Sequence, residues 1–173
     1  MNRQHIVNRL RYLRNWELFN VFLLPACLAV VVTSLELPTW LLYSYCLFLI
    51  CLILTQGVLY WHLKLRMIYT NTHHLPAYFH GVFTLFKRSN RILIAVYPLL
   101  LGYALLNQQT QSGEPIWATI LWLFALLEYI NYYHYQLMHD SSNDLQYLLR
   151  HKRLRHAPIA TDLARTNTAS DVR

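Results

Sequence analysis

The chain has 173 residues, 55% of them hydrophobic and only 13% charged, about half the charged share of a soluble domain. Fifteen Lys and Arg against eight Asp and Glu leave a formal charge of +7. These figures argue against a soluble enzyme and a disordered chain. Three cysteines, Cys27, Cys46 and Cys51, all lie inside apolar runs and make no disulfide framework.

Arg3, Arg9, Arg11 and Arg14 precede an uncharged run from Leu18 to Leu35. A run of that length predicts a membrane span, over about 16–36. Leu37-Pro38-Thr39 is a tight turn into a second uncharged run, Trp40 to Trp61, which predicts a span over 40–62. Leu63 to Tyr69 continues that helix without a breaker. Pro76 is expected to open a helix running to Arg91, with Tyr78, Phe79, Val82, Phe83 and Phe86 as its apolar side. The third span, 90–107, is the weakest. Its uncharged part, Ile92 to Leu106, rises only about 22 Å as a helix, against a hydrocarbon core of about 30 Å. Arg88 and Arg91 would have to snorkel, or the bilayer thin, to close that gap. Gln111 to Pro115 is a second turn sequence, and the fourth span, 116–137, carries one charge, Glu128. Leu145 to Arg155 reads as a basic amphipathic helix lying at the inner surface, and Thr166 to Arg173 as a frayed tail.

The placement of charge is the strongest signal. Four basic residues precede the first span, five lie between the second and third, and six follow the fourth. The connections at Glu36–Pro38 and Asn107–Pro115 hold no Lys or Arg. All fifteen basic residues therefore fall on one side of a four-span chain, and the positive-inside rule makes that side cytoplasmic. Trp16, Trp40, Trp61 and Trp117 sit at span ends, where amphipathic rings favour the interface. The expectation is an all-α polytopic membrane protein, with both termini cytoplasmic. Residues 1–140 form an antiparallel four-helix transmembrane bundle, and 141–173 a basic cytoplasmic segment with a short helix. The expected partners are the bilayer and its anionic headgroups rather than nucleic acid, with a homo-oligomer open.

An ionisable residue inside a span is costly and marks a candidate site. Glu128 lies about 18 Å into the fourth span. Asn131, Tyr132 and Tyr135 follow it on one helix face. Gln56 and Tyr60, one turn apart on the second span, lie at a similar depth and are expected to hydrogen-bond that stripe. This polar cluster is either a proton or solute site or simply adhesive between helices.

Nine histidines, all toward the basic side, raise a metal reading. His134 and His139, and His151 and His156, share a spacing, and His73 and His74 are adjacent. This pattern resembles the histidine boxes of membrane di-iron desaturases and hydroxylases, which would imply iron or zinc bound by these six residues. It departs from them because the last box ends in Arg155-His156 rather than a histidine pair. An i, i+5 spacing also turns the two rings about 140° apart on a helix. The expectation is therefore no metal and no cofactor, with the histidines in an inner interfacial belt.

Leu127-Glu128-Tyr129-Ile130-Asn131-Tyr132-Tyr133-His134-Tyr135-Gln136-Leu137, together with Arg11-Tyr12-Leu13-Arg14-Asn15-Trp16-Glu17 and Gln56-Gly57-Val58-Leu59-Tyr60-Trp61-His62-Leu63-Lys64, resembles an uncharacterised family of small bacterial four-span membrane proteins. The resemblance implies the architecture, and a bacterial plasma membrane as its location, but no activity. Three functional readings stand: an interaction or regulatory protein of the membrane, a metalloenzyme acting on lipid, and an oligomeric transporter or channel using Glu128.

Overall fold

The computed structural model describes residues 3–32, 37–72, 74–106, 114–138, 150 and 152–170. The helices are α1 (Arg3–Val32), α2 (Leu37–Tyr69), α3 (Phe79–Leu106), α4 (Glu114–Tyr133) and α5 (Pro158–Ser170). The chain is all-helical, and α1 to α4 are each long and apolar enough to cross a membrane. α1 joins its basic segment and its apolar run into one helix, because nothing from Arg3 to Leu24 breaks it. α2 runs on to Tyr69 and ends where Asn71 takes a left-handed conformation, φ 52°. There Thr72 N–H donates to the Met67 carbonyl at 3.1 Å and Asn71 N–H to the Ile68 carbonyl at 3.4 Å, the paired bonds of a Schellman cap.

The expected inner helix and the third span are one element. α3 has 28 residues and rises about 42 Å. The helix is thus long enough to cross a bilayer, but its uncharged part is still Ile92 to Leu106, so Arg88 and Arg91 keep the snorkelling role expected of them. Ser89-Asn90-Arg91 contains no helix breaker, and Asn90 is fully buried. α4 ends earlier than expected, at Tyr133. The Asn131 side chain accepts hydrogen bonds from Leu137 N–H at 2.9 Å and Met138 N–H at 3.3 Å, which turns the chain off the helix axis.

The C-terminal helix also differs in place. Residues 145–149 and 151 of the expected Leu145–Arg155 helix lie outside the described residues, and 152–157 are not helical. Gln136 N–H instead donates to the Arg155 carbonyl at 2.8 Å, and Ala157 N–H to the His134 carbonyl at 3.1 Å, a short antiparallel bridge. The helix starts at Pro158, whose fixed φ suits a first helical position, and continues to Ser170 where a frayed tail was expected. Tyr60 Oη donates to Asp162 Oδ2 at 2.7 Å, and Lys64 Nζ pairs with the same oxygen at 2.6 Å. These two contacts pin α5 to α2.

α2 is the central helix and packs against α1, α3 and α4. Its Leu49, Ile50 and Ile53 form a core with Phe79 and Phe83 of α3 and Ala125 of α4. Ala118 and Ala125 are wholly buried and let the helices approach closely. Large apolar side chains such as Phe22, Val30, Leu99 and Ile116 point outward. At the basic end, the Arg3 guanidinium donates to the Ile68 carbonyl, and Arg11 donates to Tyr69 Oη at 2.9 Å. The N-terminus of α1 therefore covers the C-terminus of α2, as an antiparallel pair requires, with cations at the negative end of the helix dipole.

Two prolines lie inside these helices, and each strips an i−4 carbonyl of its amide donor. Pro98 frees the Ile94 carbonyl, and Trp122 Nε1 of α4 donates to it at 3.0 Å. Pro25 frees the Val21 carbonyl, and Cys51 Sγ of α2 lies 3.8 Å from it. In hydrocarbon no water fills such a gap, so the neighbouring helix must. Trp122→Phe keeps the ring stacked on Tyr97 but removes the donor. It should cost about 1 kcal/mol in a steric-trapping unfolding measurement. Asp162→Asn should cost about 1–3 kcal/mol and raise hydrogen exchange through 158–170 while leaving α2 protected.

Candidate functional site

One stripe of α1, Ile6, Arg9, Leu13, Glu17 and Asn20, falls at helical spacing and faces one stripe of α4, Phe124, Glu128 and Asn131. Leu54 and Trp61 of α2 form the floor between them. The cleft they enclose measures about 530 Å³. Its basic end is completed by Arg155 and Pro158, brought there by the bridge that precedes α5. The walls are mainly apolar, and the lining includes two carboxylates, Glu17 and Glu128, and two arginines, Arg9 and Arg155.

Glu17 is buried in the site, at 9% exposure. Its Oε1 accepts the Trp61 indole N–H at 2.7 Å and also the Tyr132 hydroxyl. Its Oε2 is buried with no hydrogen-bond partner among the described residues. That oxygen lies over Gly57, where a Cβ would also come within 2.6 Å of Tyr132 Oη. Glycine at 57 is therefore what allows Glu17 and Tyr132 to meet on the surface of α2. Glu128 lies half-buried in the same cleft. Asn131, three residues on along α4, lines the same cleft. The carbonyl oxygen of Asn131 is committed to the turn after α4.

The residues expected to form one polar stripe separate into distinct groups. Glu128, Asn131 and Tyr132 line the cleft. Gln56 turns the other way. It exchanges two hydrogen bonds with Asn90 of α3, at 3.1 and 2.8 Å, and accepts one from Tyr133 Oη at 2.7 Å. Tyr60 binds Asp162, and Tyr135 stacks on His156 with ring centroids 5.4 Å apart. The reason is rotational. Successive helix positions differ by about 100°, so Gly57 and Trp61 face the cleft while Gln56 and Tyr60 face α3 and α5. Glu17 was the missed residue. It is the one acidic side chain at the head of the first apolar run, beside Trp16, and its position at a span boundary hid its burial.

His73, His139 and His151 lie outside the described residues. Among the described residues no group of three or more His, Cys, Asp and Glu is placed to hold a metal ion. His134 contacts the Tyr129 hydroxyl at 3.3 Å, and His156 is held by Tyr135. No family model, no curated protein and no solved structure matches this chain.

Gly57→Ala tests the close approach. In an open helix the change stabilises by about 1 kcal/mol. Here the added methyl meets Glu17 and Tyr132, and it should destabilise by about 1–3 kcal/mol. Thermal unfolding in detergent should show the loss, and Glu17→Ala in the same chain should recover part of it.

Proposed function

We propose that this integral membrane protein is a binding module, acting in an interaction or regulatory role, whose ligand is an amphiphile held in the cleft between α1 and α4. The observation that carries this reading is the composition of the cleft along its length. Its volume of about 530 Å³ lies within the range of small-molecule sites, roughly 300–1,000 Å³. Apolar walls suit a hydrocarbon chain, and Arg9 and Arg155 suit an anionic head at the basic end. The basic end is read as cytoplasmic, with both termini on that side, because all fifteen basic residues belong to it. The host membrane is read as a bacterial plasma membrane.

A second reading, transport by an oligomer, is favoured by one observation: Glu128 faces the cleft instead of the surrounding lipid. Proton-linked flux in proteoliposomes that disappears in Glu128→Gln would move the assignment to it.

Native mass spectrometry of the full chain from mild detergent tests binding. One amphiphile should be retained per chain. Leu13→Trp, which fills the cleft, should lower occupancy about tenfold. Ile92→Trp, on the outward face of α3, should leave occupancy unchanged. Equal occupancy in all three proteins, or none in the wild type, overturns the reading.

A further inference from the structure

The end of α2 and the segment that leads into α3 enclose a second pocket, of about 340 Å³. That size admits a small ligand or the head of a larger one. On α2 it is lined by Leu63, Arg66, Met67 and Thr70, a stripe at helical spacing. At 100° per residue this stripe lies on the opposite side of α2 from Trp61, which belongs to the cleft. Leu63, Met67 and Pro76 give the pocket apolar walls. Thr70 and Thr72 offer it no spare proton. Their hydroxyls lie 3.0 Å apart and donate to the Arg66 and Met67 carbonyls. The side-chain donors that remain are Arg66, His74 and Tyr78, and no carboxylate is among the lining residues.

Arg66 is the cation left over at this end of the bundle. Arg3 donates to the Ile68 carbonyl, Arg11 to Tyr69 Oη, and Lys64 pairs with Asp162. The end of α2 is already capped by the Asn71 and Thr72 amides. Among the described residues, no side chain or carbonyl takes up the Arg66 guanidinium. Arg66 also lies five residues beyond Trp61, about 8 Å along the helix. With Trp61 at the edge of the hydrocarbon, that depth is the headgroup layer.

We propose that this pocket holds the phosphodiester head of a net-anionic phospholipid from the leaflet at the basic end. The Arg66 guanidinium donates paired N–H groups to the phosphate oxygens. His74 and Tyr78 add donors beside it, and the glycerol end of the chains lies on Leu63 and Met67. Free phosphate would use the same donors, but it would leave the apolar walls uncovered. The site shares no lining residue with the α1–α4 cleft and does not rest on the reading of that cleft.

The test is the rate at which phenylglyoxal modifies Arg66, read by peptide mass spectrometry of the full chain in lipid nanodiscs. One disc is dioleoyl phosphatidylcholine, and the other is an equal mixture with dioleoyl phosphatidylglycerol. Arg66 should react about tenfold more slowly in the mixed disc, the effect of one charge-assisted contact. Arg153, which is exposed and lines neither pocket, should react at the same rate in both. Inorganic phosphate added to the phosphatidylcholine disc should not protect Arg66. His74→Ala with Tyr78→Phe, both exposed positions, should remove most of the protection. Equal Arg66 rates in the two discs, or equal slowing at Arg153, overturns the proposal, and both comparisons use the wild type. Full protection in the double variant overturns it as well. Protection by inorganic phosphate overturns the lipid as occupant and makes the pocket a site for the free anion. Each of these outcomes leaves the cleft reading untouched.

Discussion

A carboxylate buried between helices has to be held by the protein, because burial takes its water partners away. Glu17 meets this constraint by drawing three helices together. It is carried by α1, hydrogen-bonded by Trp61 of α2 and Tyr132 of α4, and seated on Gly57. Remove any of these and a buried polar group is orphaned, which costs more than the bond itself. Burial of apolar surface does not drive helices together within lipid, since the tails are as apolar as Leu. Polar contacts of this kind, and small residues that permit close packing, therefore carry a larger share of the specificity here than they would in a soluble bundle.

The same stretch of α2 serves the other helices. Gln56 holds Asn90 of α3 and Tyr133 of α4, while Tyr60 and Lys64 hold Asp162 of α5. Positions 56, 57, 60, 61 and 64 span little more than two turns, yet they contact every other helix. Their division follows from the helix period. Residues at i and i+4 share a face, so 56 and 60 act toward α3 and α5, and 57 and 61 toward α1 and α4. The prolines of α1 and α3 obey the same requirement, since the carbonyls they release are met from α2 and α4.

Much of the architecture is readable from charge and hydropathy alone. The four apolar helices and the clustering of Lys and Arg at one end follow from long uncharged runs and short turns. What does not follow is which polar residues meet. Glu128, Asn131 and Tyr132 share the stripe that their spacing implies, but Gln56 and Tyr60 lie one helix position away from the face that meets Glu128. A sequence gives the depth of a residue in a span far better than its rotation about the axis. Glu17 illustrates the complementary difficulty. At the head of an apolar run it resembles an ordinary interfacial charge, and only the position of Gly57 and Tyr132 across the contact makes it a buried one. The C-terminal helix begins at Pro158 because the preceding segment is used as a backbone pairing partner by 134–136, a non-local choice that no local pattern announces.

The cleft arises from the way α1 is attached. α1 packs chiefly on α2, and its link to α4 runs through the Glu17 carboxylate and the Tyr132 hydroxyl. A link through two long side chains holds the backbones of α1 and α4 apart, where alanines such as Ala118 and Ala125 draw α4 against its other neighbours. At the basic end, the bridge between 134–136 and 155–157 adds Arg155 and Pro158 to the lining of the cleft. The buried acid that fastens α1 and the cleft beside it are therefore consequences of a single packing choice: a polar clamp in place of a tight helix–helix seam.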